Sequence, residues 1–432
     1  MAPVDAVIVG AGNRGRFVFG GYALANPDRL RVVALAEPDD EKREGMAREH
    51  GIPLDRRFGD WGELFGESRL APLAIVATGD TLHVEPTLAA LARGYHVLLE
   101  KPMAPTPGEC VRVVDAAEAA QRMLQIGHVL RYTPFYRRVH EVIESGVLGE
   151  LVSLDLKEHV AYWHMTHSFV RGKFRNRELA APIILAKSCH DFDLMVWFMG
   201  RPASRVSSFG CLGHFRAAAA PEGAPERCTD GCPVRQDCPH DAERFYLGPD
   251  DEVARIWPWS DVSLDSTREA RRRALQTGRY GRCVYRCDND VADHQVVAVE
   301  FAGGATASFT MQGLGSDEER SIRISGTRGE LRGVLHSGVI EVSRHGVFGN
   351  ERHEVGGSAL GHYGGDGGLL DHFTEVLERQ AGGEVQASGR VSLESHLIGF
   401  AAERARLSGS VIEMEGFRKE ARHEPGVSVN EG

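Results

Sequence analysis

Ala6-Val7-Ile8-Val9-Gly10-Ala11-Gly12-Asn13-Arg14-Gly15 is the stretch on which the fold of this chain turns. Four consecutive apolar residues read as a buried strand, and the glycines after them match G-x-G-x-x-G. With 50 glycines in the chain such a match arises easily by chance, so its weight comes from context. Here it leaves a strand and opens a helical pattern running through Phe17 and Leu24. In that setting the glycines permit a tight turn and close approach of a pyrophosphate, whose charge the helix N-terminus meets. Gly10, Gly12, Asn13 and Arg14 are therefore candidates for holding a dinucleotide; the alternative is a glycine turn that only packs helix on strand.

Working outward, Arg31–Ala36 forms a second apolar run and ends at Glu37, near the about 20-residue offset at which an acidic residue meets the ribose. A carboxylate there accepts hydrogen bonds from both ribose hydroxyls and repels a 2′-phosphate, which favours NAD; Arg14 leaves some tolerance for NADP. Leu73–Ala77, His96–Leu99 and Gln125–His128 read as further strands, with Leu82–Arg93 helical. Continuous apolar strands separated by helices imply a parallel sheet covered on both faces. The expectation is an α/β chain with a doubly wound Rossmann domain over residues 1–128. Glu100-Lys101-Pro102 follows a strand directly, and a lysine at a strand's carboxyl end in such a sheet faces the ligand crevice.

After residue 130 the texture changes. A helix over Phe135–Ser145 gives way to period-2 runs at Leu151–His159, Gln295–Phe301, Ala305–Met311 and Ser321–Ser325. These predict a second α/β domain over 129–432 with a large open, mostly antiparallel sheet. A helix is expected over Asp191–Met199 and two more over roughly 366–380 and 391–408. The segment from about 211 to 290 fits no regular element and reads as an insertion. The last ten residues are expected to be mobile.

A length of 432 residues suggests two or three domains at about 100–200 residues each. Hydrophobic residues at 42% and charged residues at 26% exclude bulk disorder. The net charge of −11 argues against a nucleic-acid partner. No run approaches the roughly 18 apolar residues of a membrane span, and Met1–Gly10 carries no basic leader, so a soluble cytoplasmic protein is expected. Of the eight cysteines, five fall between 228 and 287. The spacings Cys228-x3-Cys232-x5-Cys238 and Cys283-x3-Cys287 predict a structural zinc site. Its fourth ligand would be Cys287 or Cys283, with His240 an outside candidate; an iron–sulfur cluster and unligated thiols are the alternatives. Such a metal would shape an insertion that lacks a core of its own.

Several motifs coincide. They are Gly10–Gly15, Ala77-Thr78-Gly79-Asp80 with His83, Tyr95–Pro102, the Gly146–Gly149 turn, His190 with Asp193, Gly364-Gly365-Asp366, and Ser-Leu-Glu-Ser-His at 392–396. On these residues the chain resembles the Gfo/Idh/MocA family of NAD(P)-dependent sugar and inositol oxidoreductases, over nearly its whole length apart from the insertion. The resemblance implies that Thr78, Asp80, His83, Glu100 and Lys101 line the cofactor. It implies that Lys101 hydrogen-bonds the reacting hydroxyl near the nicotinamide and that His190 exchanges its proton. A histidine suits that role because its pKa lies near working pH; a satisfied core histidine is the alternative. It also implies a homodimer or homotetramer formed through the free face of the second sheet.

The chain departs from the family at one place. Many members carry Asp four residues before the histidine, where this sequence has Ala186. Lys187 stands next to it, as a second cation on the substrate, as a base if burial lowers its pKa, or as the partner of Asp191 or Asp193. The segment His159–Arg177 offers Tyr162, His164, His167 and Arg171 as substrate residues, with Trp163, Lys173, Arg175 and Arg177 beside them and Arg131 and Tyr132 from the strand before. It reads as an aromatic-walled carbohydrate site whose arginines suit an anionic substituent, or else as a solvated basic loop. The function expected is hydride transfer between a secondary hydroxyl of a sugar, glycoside or cyclitol and NAD. The alternative is a redox-neutral, NAD-dependent glycosidase that oxidises C3 transiently, using Lys187, His164, His167 and Tyr162 for its extra proton transfers. An inert NAD-binding protein would be expected to lose Lys101 or His190, and both are present.

Overall fold

Six parallel strands in the order β3-β2-β1-β4-β5-β6 form the first sheet of the computed structural model, which describes residues 2–263, 265–356, 361–379 and 386–424. They are β1 (Val4–Val9), β2 (Leu30–Ala36), β3 (Arg57–Phe58), β4 (Leu73–Val76), β5 (His96–Leu99) and β6 (Leu124–Ile126). Val7, Ile8, Leu73 through Val76, and Val97 through Leu99 are fully buried, as a sheet covered on both faces requires. The order reverses at β1, flanked by β2 and β4, and that switch point opens a crevice at the strands' carboxyl ends. Backbone bonds from Gly10 to Ala36, Ala77 to Val9, Glu100 to Val76 and Gly127 to Leu99 set those ends level along one rim.

The glycine turn sits in that rim. Gly10 takes φ +95° against the Ala77 carbonyl, and a Cβ on Gly15 would lie 1.8 Å from the Gly10 oxygen. The following helix is wound loosely over Asn13–Gly20 and continues over Gly21–Ala25.

The second sheet has nine strands in the order β14-β13-β12-β11-β7-β10-β9-β8-β15. Its members are β7 (Leu151–Ala161), β8 (Ala203–Cys211), β9 (His294–Phe301), β10 (Thr306–Gly315), β11 (Glu319–Gly326), β12 (Gly329–Val334), β13 (Val339–Arg344), β14 (Asn350–Glu354) and β15 (Ile412–Glu413). Among the described residues of this sheet only β7 and β10 pair in parallel; the sheet is mixed and mostly antiparallel. Helices Cys189–Met199 and Gly389–Ser408 pack on one face. The other face leaves Phe209, Val296 and Val152 exposed.

The late chain returns to the first sheet. Helix Gly365–Glu378 buries Leu369, Leu370 and Phe373 in the same core as Ile8, Phe19 and Leu35. The insertion, expected to lack both regular structure and a core, has some of each. Its helices Ala242–Leu247 and Arg268–Thr277 enclose Ala242, Tyr246, Leu247 and Leu275, with Cys228 and Tyr280. The arginine run thus lies on an amphipathic helix that buries Ala270, Arg271 and Leu275. The mobile tail expected at the C-terminus lies, after Glu424, outside the described residues. Among those described, no helix is long and apolar enough to cross a membrane.

Because a methyl at Gly15 collides with backbone rather than with a movable side chain, Gly15→Ala is expected to cost about 1–3 kcal/mol. Urea unfolding of the ligand-free protein measures this, with the midpoint falling and the slope unchanged.

Candidate functional site

At the switch point the glycine turn and the end of β2 are tied by one carboxylate. Glu37, 7% exposed, accepts from the Ala11 N–H at 2.7 Å and the Asp39 N–H at 3.0 Å. The first turn of the helix at Asn13 has no side-chain cap, and a Cβ on Gly12 would meet nothing within 4 Å. Uncapped N–H groups at a helix N-terminus with open space before them fit a pyrophosphate. Asn13 is exposed beside them.

Arg14 points the other way. Its Nε donates to Glu100 at 2.6 Å and its Nη2 to Asp366 at 2.8 Å, so its charge is spent inside and is not offered to a 2′-phosphate. Glu100 also accepts from the Lys101 N–H at 3.1 Å. Asp366 accepts from His362 Nδ1 at 2.9 Å. Burial opposes its ionisation, but Arg14 and His362 hold Asp366 well below the usual carboxylate range.

Thr78, Asp80 and His83 follow β4. Thr78 donates to the Leu82 carbonyl, and His83 Nδ1 to the Pro102 carbonyl at 2.7 Å. Asp80 Oδ2 and His83 Nε2 are buried without a partner. Lys101, at the end of β5, places its Nζ 2.6 Å from the Ala186 carbonyl oxygen. The position where the family's aspartate is missing thus meets the lysine through its backbone.

His190 opens helix Cys189–Met199 and is 5% exposed, with Nδ1 unpartnered. Its ring centroid lies 5.7 Å from that of His128 and 6.1 Å from that of His362. Burial, then the Lys101 ammonium, push its pKa well down, so the imidazole is neutral. His128, fully buried with both nitrogens unpartnered, is driven down in the same way by burial and Arg131. Neither His128 nor His362 was singled out in the sequence. Their signals were faint: a histidine just past the last parallel strand, and one four residues before Asp366.

Lys187 is paired with neither Asp191 nor Asp193. Its Nζ lies 3.4 Å from Glu158 and 3.9 Å from Glu318. Glu158, almost fully buried on β7, is also held by Arg320, whose Nε donates to Asp191 at 3.0 Å. Burial pushes the Asp191 carboxyl up, while Arg320 and Lys187 keep Glu158 ionised against its own burial. His164 Nδ1 donates to Glu318 at 2.6 Å. The His164 pKa is depressed to about 4 by burial and Lys187. Glu318 is held at about 2, where His164 and Lys187 outweigh its burial. Glu158, Glu318 and Arg320 escaped the sequence reading. Only Glu158 left a trace, as an acid in the inward phase of β7.

The other expected substrate residues disperse. Arg131 forms a two-point pair with Asp193 at 2.5 and 2.8 Å and is buried, so it holds the helix Cys189–Met199 and offers no donor to a ligand. His167 contacts Tyr246 at 2.9 Å and stacks on Tyr280. Arg171 donates to the carbonyls of Arg282 and His240. Arg175 and Arg177 pair with Asp288 and Asp290. His167, Arg171, Arg175 and Arg177 face the insertion and Arg131 is held by Asp193, which removes the arginine donors expected for an anionic substituent. Tyr162 and Trp163 also pack on the insertion, against His240 and Phe245, and Trp257 of the insertion lies 5.6 Å from Trp163 and 4.9 Å from His164, ring centre to ring centre.

The zinc expectation is not met by the side chains as they stand. Among the described residues no three His, Cys, Asp or Glu form a metal-holding group. Cys228, Cys232, Cys238 and Cys283 do line one small cavity, whereas Cys287 turns its Sγ to the Cys283 carbonyl.

Residues 4–128 match the family model described as an oxidoreductase family, NAD-binding Rossmann fold, and residues 140–355 match its C-terminal alpha/beta domain. The Bacillus subtilis protein YteT, described no further than as an oxidoreductase, is 28% identical over 263 residues, 60% of this chain and 59% of that one. An inositol 2-dehydrogenase of Leifsonia xyli is 29% identical over 181 residues, 40% of this chain and 48% of its own. The chain therefore spans about half to three-fifths of these relatives' length. In fold it is similar to the WlbA dehydrogenase of Bordetella pertussis, solved with NADH and UDP-GlcNAcA, with TM-score 0.67, 18% identity and coverage of 95% and 98%.

Buried neutral histidines make stability depend on pH with a definite sign. His164 at about 4 and His396 at about 3 bind fewer protons than unfolded histidines, and His128 and His190 shift the same way. Their contribution is fully present above the ordinary histidine pKa and is lost as pH falls from about 6.5 toward 4. The raised carboxyls Asp191, Asp193 and Glu109 oppose it, but among the described residues ten histidines are shifted down against these three. The melting temperature is expected to fall across that window, as calorimetry at constant ionic strength would record.

Proposed function

Because the chain belongs to the Gfo/Idh/MocA family of NAD-binding oxidoreductases, we propose that it moves hydride between a secondary hydroxyl of a sugar, glycoside or cyclitol and NAD. One observation carries this reading. Lys101 and a buried, neutral His190 with a free ring nitrogen come together at the carboxyl end of the parallel sheet, beside the uncapped glycine turn. NAD, when bound, supplies the hydride acceptor. The Lys101 ammonium orients the substrate hydroxyl and stabilises its developing negative charge, held in place by the Ala186 carbonyl. The imidazole of His190 takes the hydroxyl proton; depressed basicity suits it to pass that proton on rather than keep it. Glu37 receives the ribose hydroxyls, and with Arg14 turned to Glu100 and Asp366 no cation is offered to a 2′-phosphate. The inositol 2-dehydrogenase relative and the sugar-nucleotide complex of the structural neighbour support a polyhydroxylated substrate.

The cluster of His164, Glu318 and Lys187 favours a second reading. These three groups can transfer protons beyond the pair a simple dehydrogenase needs, as transient C3 oxidation with elimination and readdition of water demands. Self-association into a dimer or tetramer is proposed for the open face of the second sheet, where Phe209 and Val296 are exposed.

A panel of neutral and acidic sugars and their aryl glycosides, read for NADH and for aglycone release together, separates the two. NADH accumulating with substrate consumption supports the dehydrogenase; NAD-dependent aglycone release without net NADH supports the glycosidase. Lys101→Ala is expected to lower kcat by about 10²–10³-fold with NAD binding nearly intact by fluorescence titration. Glu37→Ala is expected to narrow the preference for NAD over NADP by weakening binding of NAD; an unchanged ratio would remove Glu37 from the ribose.

A further inference from the structure

Arg171 is a fully buried guanidinium with no carboxylate partner among the described residues. Its Nε donates to the Arg282 carbonyl at 2.8 Å and its Nη2 to the His240 carbonyl at 2.7 Å, while Cys228 Sγ lies 3.7 Å away. The other two fully buried arginines are paired, Arg131 with Asp193 and Arg271 with Asp251. A buried charge is ordinarily compensated by an opposite charge, and carbonyl dipoles alone leave Arg171 short of one.

Thiols stand where that anion is needed. Cys228 donates its N–H to the Gly281 carbonyl and Cys283 to the Glu226 carbonyl, both at 2.9 Å, so the antiparallel bridge of Arg227 with Arg282 sets the two cysteines diagonally across it. With Cys232 and Cys238 they line a small, partly open cavity of about 20 Å³, room for about one water-sized atom. His240 lines it too, 5% exposed, its Nδ1 buried and unpartnered. The acidic neighbour Asp241 is committed elsewhere, accepting from the Arg244 N–H at 2.7 Å.

We propose that this cavity is a structural zinc site of four thiolates, Cys228, Cys232, Cys238 and Cys283, with Arg171 as its countercharge. As neutral thiols the four have no mutual attraction and stand apart around the space. On binding, each loses its proton to solvent and four Zn–S bonds form with no electron transferred. The centre carries a net charge of −2, of which Arg171 offsets one unit. His240 stays outside the ligand set and its free nitrogen is available to hydrogen-bond a sulfur. Cys287, turned to a carbonyl, is excluded. This inference is independent of how the dinucleotide site is read.

The full chain, grown with zinc and purified without chelator, is expected to hold about one zinc per chain by mass spectrometry of the metal. Cys232→Ser and Cys283→Ser should lose it and Cys287→Ser should keep it. If the first two variants do not fold, the wild-type protein still decides. Titration with an organomercurial should release zinc to a colorimetric indicator, and growth on cobalt should give thiolate-to-cobalt charge-transfer bands. Arg171→Met is expected to weaken zinc about 10- to 100-fold in competition with a chelator, and Arg171→Lys to recover much of that. A chain with neither zinc nor cobalt uptake overturns the proposal. So would iron with inorganic sulfide, a disulfide among the four cysteines, or zinc kept by Cys283→Ser and lost by Cys287→Ser.

Discussion

Arg14 joins three parts of the chain that are far apart in sequence. It leaves the glycine turn, meets Glu100 at the end of β5 and reaches Asp366 at the head of the late helix Gly365–Glu378. Buried ion pairs of this kind contribute little to net stability, since desolvation offsets most of their attraction. What they fix is geometry. Glu100 cannot hold both Arg14 and the Lys101 N–H unless β5 ends level with β1, and Asp366 cannot hold both Arg14 and His362 unless the late helix docks on the first sheet. Lys101 and the histidine cluster are therefore placed relative to the glycine turn by one guanidinium.

A second charged cluster compensates for the residue the chain lacks. Without a carboxylate at position 186, His190 has no acid of its own to orient it. The carboxylates lie instead on β7, on the helix after His190 and on the turn after β10, as Glu158, Asp191 and Glu318, facing Arg320 and Lys187. Three acids against two cations would leave a buried negative charge. Burial works against that charge by pushing the Asp191 carboxyl up, while Arg320 and Lys187 hold Glu158 down against its own burial. Within this cluster His164, Glu318 and Lys187 lie together, and they are the groups behind the second functional reading.

Legibility in the sequence followed the range of the interaction. The Rossmann half was readable because each signal is local: a glycine turn, four-residue apolar runs, an acid at the end of β2, a lysine just after β5. The second sheet was readable in part; β7, β9, β10 and β11 alternate cleanly, while β12 to β14 are short and polar-faced, and β12 carries two glycines. Arg131 shows where local reading misleads. Beside a presumed pocket it looks like an anion donor, yet 62 residues later Asp193 meets it with both oxygens. Nothing in the spacing of those two residues encodes that pairing, and the same is true of Arg320 with Glu158 across 162 residues.

The basic loop is the larger case of the same effect. Read alone, His159–Arg177 offers a row of cations to an anionic ligand. In the fold the insertion answers them in turn: Asp261 and Tyr246 to His167, two carbonyls to Arg171, Asp288 to Arg175, Asp290 to Arg177. The loop and the insertion form one polar interface, and the loop owes its fixed course to it. His164 alone turns to the Lys187 cluster, through Glu318, while Tyr162 and Trp163 pack on His240 and Phe245, and Trp257 of the insertion lies against Trp163 and His164. The insertion, expected to fit no regular element, thus supports the loop His159–Arg177 and packs Trp257 against its aromatic residues. The order within residues 228–287 then bears on the course of that loop, because the carbonyls of His240 and Arg282 that hold Arg171 lie within it.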